Sequence, residues 1–230
     1  MTATYDIDIA VDRVRSVYRP QEDSRLMAAT MATTGLAPGN RVADLCTGSG
    51  VLAIEAARLG AESVTAFDLS GEAVACARTN AAAAGVVVDV RQESFRTAAL
   101  SGPFDLVLCN PPYVPCPEDP EVAPVPANIG PALAYDAGPD GRLVLDPLCA
   151  AAPDLLGDEG TLLLVQSELC GIDASLRSLR ATGLKASVIA RQWIPFGPVL
   201  TARARWLEST GRLPVGRRTE QLIVIRADVP

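Results

Sequence analysis

The sequence predicts an α/β fold built on a mostly parallel sheet, and three observations support this prediction. Short apolar runs alternate with helix-patterned segments along most of the chain, which is typical of parallel sheets. A glycine-containing turn, at residues 48–50, separates the first apolar run from the helix pattern after it. The chain has 230 residues, 49% of them apolar, which is enough for one domain with a complete core.

Seven apolar runs are predicted to form the strands, in the order 41–46, 63–68, 86–91, 104–109, 160–166, 185–190 and 221–226. The segments between them that have helical character are 51–59, 71–84, 143–156 and 172–181. Upstream of the first strand, residues 16–34 are predicted to form a loop and a helix. Asp23 or Ser24 is the predicted N-cap of that helix.

Two segments interrupt this alternation. Residues 114–141 are rich in proline, glycine and acidic residues, and they follow the fourth strand at the sheet edge where ligands bind in open α/β folds. Residues 193–218 are predicted to be a solvated insertion, and the alternative is a docking surface for an acidic partner. This insertion contains the arginines Arg203, Arg205, Arg212, Arg217 and Arg218.

We therefore predict a single domain over residues 1–230. It comprises an N-terminal segment and helix (1–36), a core that carries the binding and catalytic motifs (37–192), the arginine-rich insertion (193–218) and the last strand (219–230). The first fifteen residues lack the apolar region of a signal peptide, and no run of 18 apolar residues is free of charges and breakers. The expected location is the cytoplasm, without membrane association.

Composition narrows the functional classes. Twenty basic and 27 acidic residues give a net charge of −7, whereas proteins whose main partner is nucleic acid usually carry a basic field. The chain has no histidine, which excludes Ser-His-Asp and Cys-His catalysis. Its six cysteines form no C-x-x-C pair, which favours buried free thiols over a zinc site, and no metal is predicted.

The glycine turn predicts a binding site for S-adenosylmethionine (SAM). Residues 44–50 read DLCTGSG, and the glycines let the backbone turn tightly and approach a ligand closely. A dinucleotide-binding loop would have a third glycine, but Val51 to Ala53 follow instead. Asp44 would repel a pyrophosphate yet can accept hydrogen bonds from an ammonium group. Asp44, Gly48 and Gly50 are therefore predicted contacts of SAM.

Two further carboxylates follow strands at nucleotide-binding positions. Asp68 ends the second strand, where a carboxylate can accept hydrogen bonds from both hydroxyls of a ribose. The alternative is that Asp68 caps the next helix. Glu93 follows the third strand and is predicted to lie near the adenine, with an ordinary surface acid as the alternative.

Asn110-Pro111-Pro112-Tyr113 follows the fourth strand and is the predicted catalytic motif. Two successive prolines force an extended backbone, so the Asn110 side chain and the Pro111 carbonyl become fixed acceptors for a planar NH2 group. Such acceptors orient a weakly nucleophilic nitrogen and stabilise positive charge that develops on it. Tyr113 offers an aromatic face to the same group. The motif predicts N-methylation.

Together these motifs resemble the HemK/PrmC-like protein glutamine methyltransferases, over roughly residues 17–192. The chain is most similar to the short branch that lacks an N-terminal helical domain. Residues 17–24 (VYRPQEDS) are similar to that branch's V-Y-x-P-x-E-D-T motif, and residues 134–141 (AYDAGPDG) resemble its A-x-x-G-G-x-x-G segment. The resemblance implies a Rossmann-like, seven-stranded class I SAM-dependent methyltransferase fold with an antiparallel last strand.

The resemblance also implies a set of cofactor contacts around the methionine end of SAM, the ribose and the adenine. Besides Asp44, Gly48, Gly50, Asp68, Glu93 and Asn110, this set comprises Tyr18, Pro20, Glu22, Ser24, Thr47, Leu69, Ser94 and Phe95.

The implied substrate is a protein glutamine, such as the one in the Gly-Gly-Gln motif of peptide-chain release factors, and an activator subunit is a further expected partner. Two departures from the family pattern leave the substrate open. Tyr135 stands where tryptophan is frequent, and the segment after Gln192 is longer and richer in arginine. The alternatives are an exocyclic amine of a nucleic-acid base, which requires base extraction, and a small-molecule amine or amide. A non-catalytic SAM-binding protein would have a degraded tetrapeptide, and here the tetrapeptide is intact.

Overall fold

The computed structural model describes residues 17–230, so the start of the predicted N-terminal segment, residues 1–16, lies outside the described residues. A seven-stranded sheet has the order β3-β2-β1-β4-β5-β7-β6. Its strands are β1 (Arg41–Leu45), β2 (Ser63–Asp68), β3 (Asp89–Gln92), β4 (Phe104–Cys109), β5 (Leu156–Ser167), β6 (Lys185–Pro195) and β7 (Thr219–Asp228).

One strand of the sheet, β7, runs opposite to the other six. Strands β1 to β5 are parallel to one another, whereas β7 lies between β5 and β6 and is antiparallel to both. Parallel neighbours need crossover connections, which explains why helices separate the first five strands. The predicted seven-stranded α/β fold with an antiparallel last strand is confirmed.

Helices cover both faces of the sheet. They are α1 (Glu22–Thr34), α2 (Val51–Arg58), α3 (Gly71–Ala84), α4 (Phe95–Ala98), α5 (Leu145–Leu155), α6 (Ile172–Ala181) and α7 (Pro198–Ser209). Strand β4 shows the division, because Leu106 and Leu108 pack with α1 to α3, whereas Val107 and Cys109 pack with α5 and α6. Among the described residues, no helix combines the length and apolar character that a bilayer span needs.

Several strand boundaries differ from those predicted. Gly85 ends α3 in a left-handed conformation and Val87 remains exposed at the sheet edge, so β3 starts at residue 89 rather than 86. Strand β5 follows α5 directly from Leu156. Strand β6 continues to Pro195 because β7 supplies backbone partners as far as Thr219.

The largest difference lies in residues 193–218, where the sequence analysis placed no regular element. Helix α7 occupies 198–209, and its buried side chains include Val199, Leu200, Ala204 and Leu207. Leu200, Ala204 and Leu207 form, with Leu213, a small apolar cluster separate from the two faces of the sheet. Apolar residues at this spacing are the ordinary signal of an amphipathic helix, but arginines interrupt it.

Replacing Leu207 tests whether this helix is part of the core. Leu207→Ala is expected to lower the free energy of unfolding by about 2–4 kcal/mol, because it removes a fully buried side chain and leaves a cavity. The control Arg205→Ala, at an exposed position of the same helix, should change it by less than about 0.5 kcal/mol. Urea unfolding measures both, and equal small changes would indicate a solvated insertion.

Candidate active site

A continuous cleft lies at the carboxyl ends of β1, β2 and β4, the edge at which open α/β sheets bind ligands. Most of the residues predicted from the sequence line it. They are Tyr18, Pro20, Ser24, Thr47, Gly48, Asp68, Leu69, Glu93, Ser94, Phe95, Asn110, Pro111, Pro112 and Tyr113.

Three of the predicted cofactor contacts do not line the cleft. Glu22 begins α1, and its exposed carboxylate pairs with Arg25. Gly50 has φ +82°, and a Cβ there would lie 3.0 Å from the Cβ of Ala77, so this glycine allows α2 and α3 to approach each other. Asp44 is buried beneath the turn. Direct contact of these three residues with the cofactor stays a prediction.

Two carboxylates, those of Asp44 and Asp68, hold the turn after β1 in place. One oxygen of Asp44 accepts hydrogen bonds from the Thr47 hydroxyl (2.5 Å) and the Ala53 N–H (3.1 Å), which attaches the turn to the start of α2. Burial raises the pKa of Asp44 to about 7. Gly48 has φ +55°, and no atom lies within 4 Å of the position where a Cβ would stand, so its backbone borders open space.

Asp68 connects the turn to the next helix rather than capping that helix. Its two oxygens accept hydrogen bonds from the N–H groups of Gly48 and Ser70, each at 2.9 Å. The N-cap of α3 is Ser70, whose hydroxyl accepts from Ala73, so the capping alternative for Asp68 is wrong. Each carboxylate oxygen has a second lone pair, which leaves Asp68 able to accept further hydrogen bonds in the cleft.

The start of α1 is attached to the catalytic motif. The Asn110 amide donates to the Ser24 hydroxyl (3.3 Å), and the Tyr113 hydroxyl donates to the Asp23 carboxylate (3.0 Å). The N-cap of α1 is Gln21, with no side-chain cap, so the prediction that Asp23 or Ser24 caps this helix is wrong. Both side chains instead face the loop after β4.

The Asn110 NH2 group is the one bonded to Ser24, and no donor among residues 17–230 is bonded to the Asn110 side-chain oxygen. Burial raises the pKa of the Tyr113 hydroxyl well above its usual value, and Asp23 adds to the shift. Tyr113 therefore remains a neutral donor near neutral pH. Asp23 is a cleft residue that the sequence analysis treated only as a possible cap.

An aromatic wall closes one side of the cleft. The rings of Tyr18 and Tyr135 lie 6.0 Å apart at an interplanar angle of 55°, and both line the cleft. The Tyr18 hydroxyl accepts a hydrogen bond from the Gln21 amide at 2.7 Å, which fixes its ring relative to α1. Burial raises the pKa of Tyr18, so its hydroxyl also stays protonated.

The chemistry of this cleft fits SAM better than a dinucleotide. Of the residues that the structure describes, four carboxylates line it (Asp23, Asp68, Glu93 and Asp136), against one guanidinium, that of Arg19. SAM carries a sulfonium and an ammonium group but no phosphate, so an acidic cleft favours it on electrostatic grounds. One Asp44 oxygen is buried without a hydrogen-bond partner within the described chain, so the base of the turn has an unused acceptor.

Comparisons with known proteins agree with this geometry. The sequence pattern of the methyltransferase small domain matches residues 13–120. A protein of Methanocaldococcus jannaschii named as an N5-glutamine methyltransferase is 31% identical over 188 residues, which cover 82% of this chain and 91% of that protein. The release factor glutamine methyltransferase of Deinococcus radiodurans is 39% identical over 174 residues. This match covers 74% of the present chain but only 57% of that longer protein.

Solved structures show the same fold. The Mtq2–Trm112 complex of E. cuniculi, described as responsible for methylation of the eRF1 translation termination factor, contains a chain that superposes with a TM-score of 0.62. The superposition covers 94% of this chain and all of that one, at 22% identity.

The raised pKa of Asp44 predicts a specific pH dependence of stability. Its ordinary pKa is 3.8 and its folded-state value is about 7, so the stability that the neutral carboxyl provides is complete below about pH 4 and lost as pH rises to 7. Asp44→Asn removes this titration. We expect the difference in unfolding free energy between variant and wild type to shift in the variant's favour across this range and to level off above it. Urea unfolding at intervals of pH measures it, and a constant difference would contradict the assignment.

Proposed function

The chain belongs to the protein N5-glutamine methyltransferase family, and from this premise we propose that it methylates the side-chain amide nitrogen of a glutamine in a protein substrate. The observation that carries the proposal is the orientation of Asn110. Its NH2 group is bonded to Ser24, so its oxygen is left to accept a hydrogen bond from a substrate amide in the cleft. The Pro111 carbonyl is the proposed second acceptor.

Two acceptors in fixed positions account for the proposed chemistry. A glutamine NH2 group has two N–H donors in one plane, and it is a poor nucleophile because its lone pair is delocalised into the carbonyl. Bound SAM supplies an electrophilic methyl group on sulfur. Asn110 and Pro111 orient the nitrogen and stabilise the positive charge that builds up as the N–C bond forms and the C–S bond breaks. The nitrogen then releases its proton to water, and S-adenosylhomocysteine is the second product.

The remaining cleft residues are assigned to cofactor binding in this proposal. Asp68 accepts from the ribose hydroxyls, and Glu93 lies at the adenine. Gly48 allows the backbone to approach the methionine end, where Tyr18 and Ser24 form the opposite wall. Asp44 and Gly50 contribute indirectly, by supporting the shape of the turn.

The proposed substrate is the glutamine of the Gly-Gly-Gln motif in a peptide-chain release factor. The names of the relatives from D. radiodurans and E. cuniculi support it, since both refer to factors of translation termination. The E. cuniculi structure contains a second subunit, which supports the proposal of an activator partner here as well. The net charge of −7 argues against a nucleic-acid substrate.

The direct test is methyl transfer from labelled SAM to a purified release factor. We expect label on the wild-type factor and none on a factor in which Gly-Gly-Gln is changed to Gly-Gly-Ala. A parallel reaction contains ribosomal RNA. Label on the RNA alone would replace the proposal with base methylation.

Asn110→Ala is expected to reduce turnover by at least about a hundredfold, because it removes one of the two proposed acceptors that act as charge develops. Affinity for SAM, measured by calorimetry, should remain close to that of the wild type. Asn128→Ala is the control, since Asn128 is exposed and does not line the cleft. Near-normal turnover of the Asn110 variant would remove its catalytic role.

Asp68→Ala is expected to weaken SAM binding by about 10- to 100-fold, because hydrogen bonds to a charged acceptor contribute about 1.5–3 kcal/mol. Asp68→Asn keeps one acceptor oxygen and should lose less affinity. Calorimetry on variants shown to be folded provides the measurement. Unchanged affinity would mean that Asp68 only joins the Gly48 turn to Ser70.

A further inference from the structure

One buried cation connects helix α7 to the loop that follows the catalytic motif. Arg203 is 4% exposed, and its guanidinium forms an ion pair with Asp136. A second guanidinium nitrogen donates to the carbonyl of Pro115 at 3.2 Å. Apolar side chains of α7 also pack against the rest of the protein, so this ion pair is not the only contact that holds the helix in place among the described residues. Burying a guanidinium is unfavourable unless it is paired, and a buried ion pair is by itself weak evidence for a role in stability.

The two partners of Arg203 lie at the start and near the end of the loop that follows β4, residues 114–141. Pro115 comes two residues after Tyr113, and Asp136 belongs to the returning stretch. The two stretches are joined by hydrogen bonds from the Val114 N–H to the Tyr135 carbonyl (2.9 Å) and from the Ala137 N–H to the Val114 carbonyl (3.1 Å). Arg203, which lies on α7, therefore contacts both stretches at the junction where they pair.

The junction carries the aromatic wall of the cleft. The guanidinium of Arg203 lies 5.4 Å from the centre of the Tyr135 ring, and that ring contacts Tyr18. Tyr135 and Tyr18 line the cleft, whereas Arg203 does not. A change at Arg203 can therefore reach the cleft through Tyr135, through Asp136, or through Pro115 and its neighbour Val114.

We propose that Arg203 is a positioning residue for methyl transfer, which holds the Tyr135 side of the wall so that the substrate amide lies beside Asn110. This inference rests on the proposed function. The residue must be arginine because a planar guanidinium can bond two acceptors and stack on a ring at the same time. A lysine ammonium would keep the charge but not this geometry.

Arg203→Met tests the proposal with the least damage to the fold. It removes the buried cation, and the Asp136 side chain it leaves is 29% exposed and can be hydrated. We expect turnover at saturating SAM and substrate to fall by about tenfold or more, because small misplacements near reacting atoms have large kinetic effects. The dissociation constant for SAM should change by less than about threefold. Arg203→Lys should recover part of the lost turnover.

Arg205→Met is the matched control. Arg205 lies on the same helix, is exposed and forms no ion pair within the described part of the chain. Its turnover should stay within about twofold of the wild type. Equal losses in the two variants would overturn the proposal, because the charge of the helix rather than the contact would then be responsible. Normal turnover in a folded Arg203→Met variant would overturn it too.

Hydrogen exchange separates this inference from the proposed function and from a general loss of folding. Arg203→Met should speed exchange at the Val114 and Ala137 amides, whereas amides in β1 and β4 keep wild-type rates and Arg205→Met changes neither. If wild-type protein fails to label the release factor, the proposed function fails, and the exchange result alone decides whether Arg203 fastens the wall. Uniformly faster exchange, with SAM affinity and turnover falling together, would show a structural role only.

Discussion

The cleft depends on the register in which β1 pairs with its two parallel neighbours. Leu45, the last residue of β1, is aligned with Phe67 in β2 and with Cys109 in β4. The turn after β1, Asp68 and Asn110 therefore leave the sheet side by side. A slip of one residue in either pairing would turn the following side chain to the other face of the sheet. The buried apolar residues on both faces of β4 hold this register.

Hydrogen bonds to carboxylates and hydroxyls then fix the loops that the sheet aligns. Asp44 accepts from the Thr47 hydroxyl of the turn, and Asp68 accepts from the Gly48 N–H. Asp23 and Ser24 accept from the side chains of the catalytic motif. These bonds join the glycine turn to β1 and β2, and the catalytic motif to α1. Asp23 and Asp68 also contribute to the acidity of the cleft, which suits a cofactor that carries positive charge on sulfur and on its amino group.

Contiguous motifs were predictable from the sequence, whereas contacts between distant segments were not. The glycine turn and Asn110 to Tyr113 indicate their chemistry within a few residues, and both line the cleft. Gly50 was assigned to the cofactor because nothing in the sequence shows that Ala77 lies against it. The roles of Asp23 and Arg203 depend on partners 90 and 67 residues away. The helix α7 was not predicted because Arg203 and Arg205 interrupt the apolar spacing of its sequence.

The reversed strand explains how α7 reaches the cleft at all. Because β7 is antiparallel to both β5 and β6, the end of β6 at Pro195 lies at the same edge of the sheet as the carboxyl ends of the parallel strands. The connection from β6 to β7 must therefore cross the edge where the catalytic motif emerges. Helix α7 lies in that connection, and Arg203 uses its position to bind the loop after the motif. The parallel half of the sheet thus forms the proposed cofactor site, and the antiparallel half supports the wall that faces the substrate.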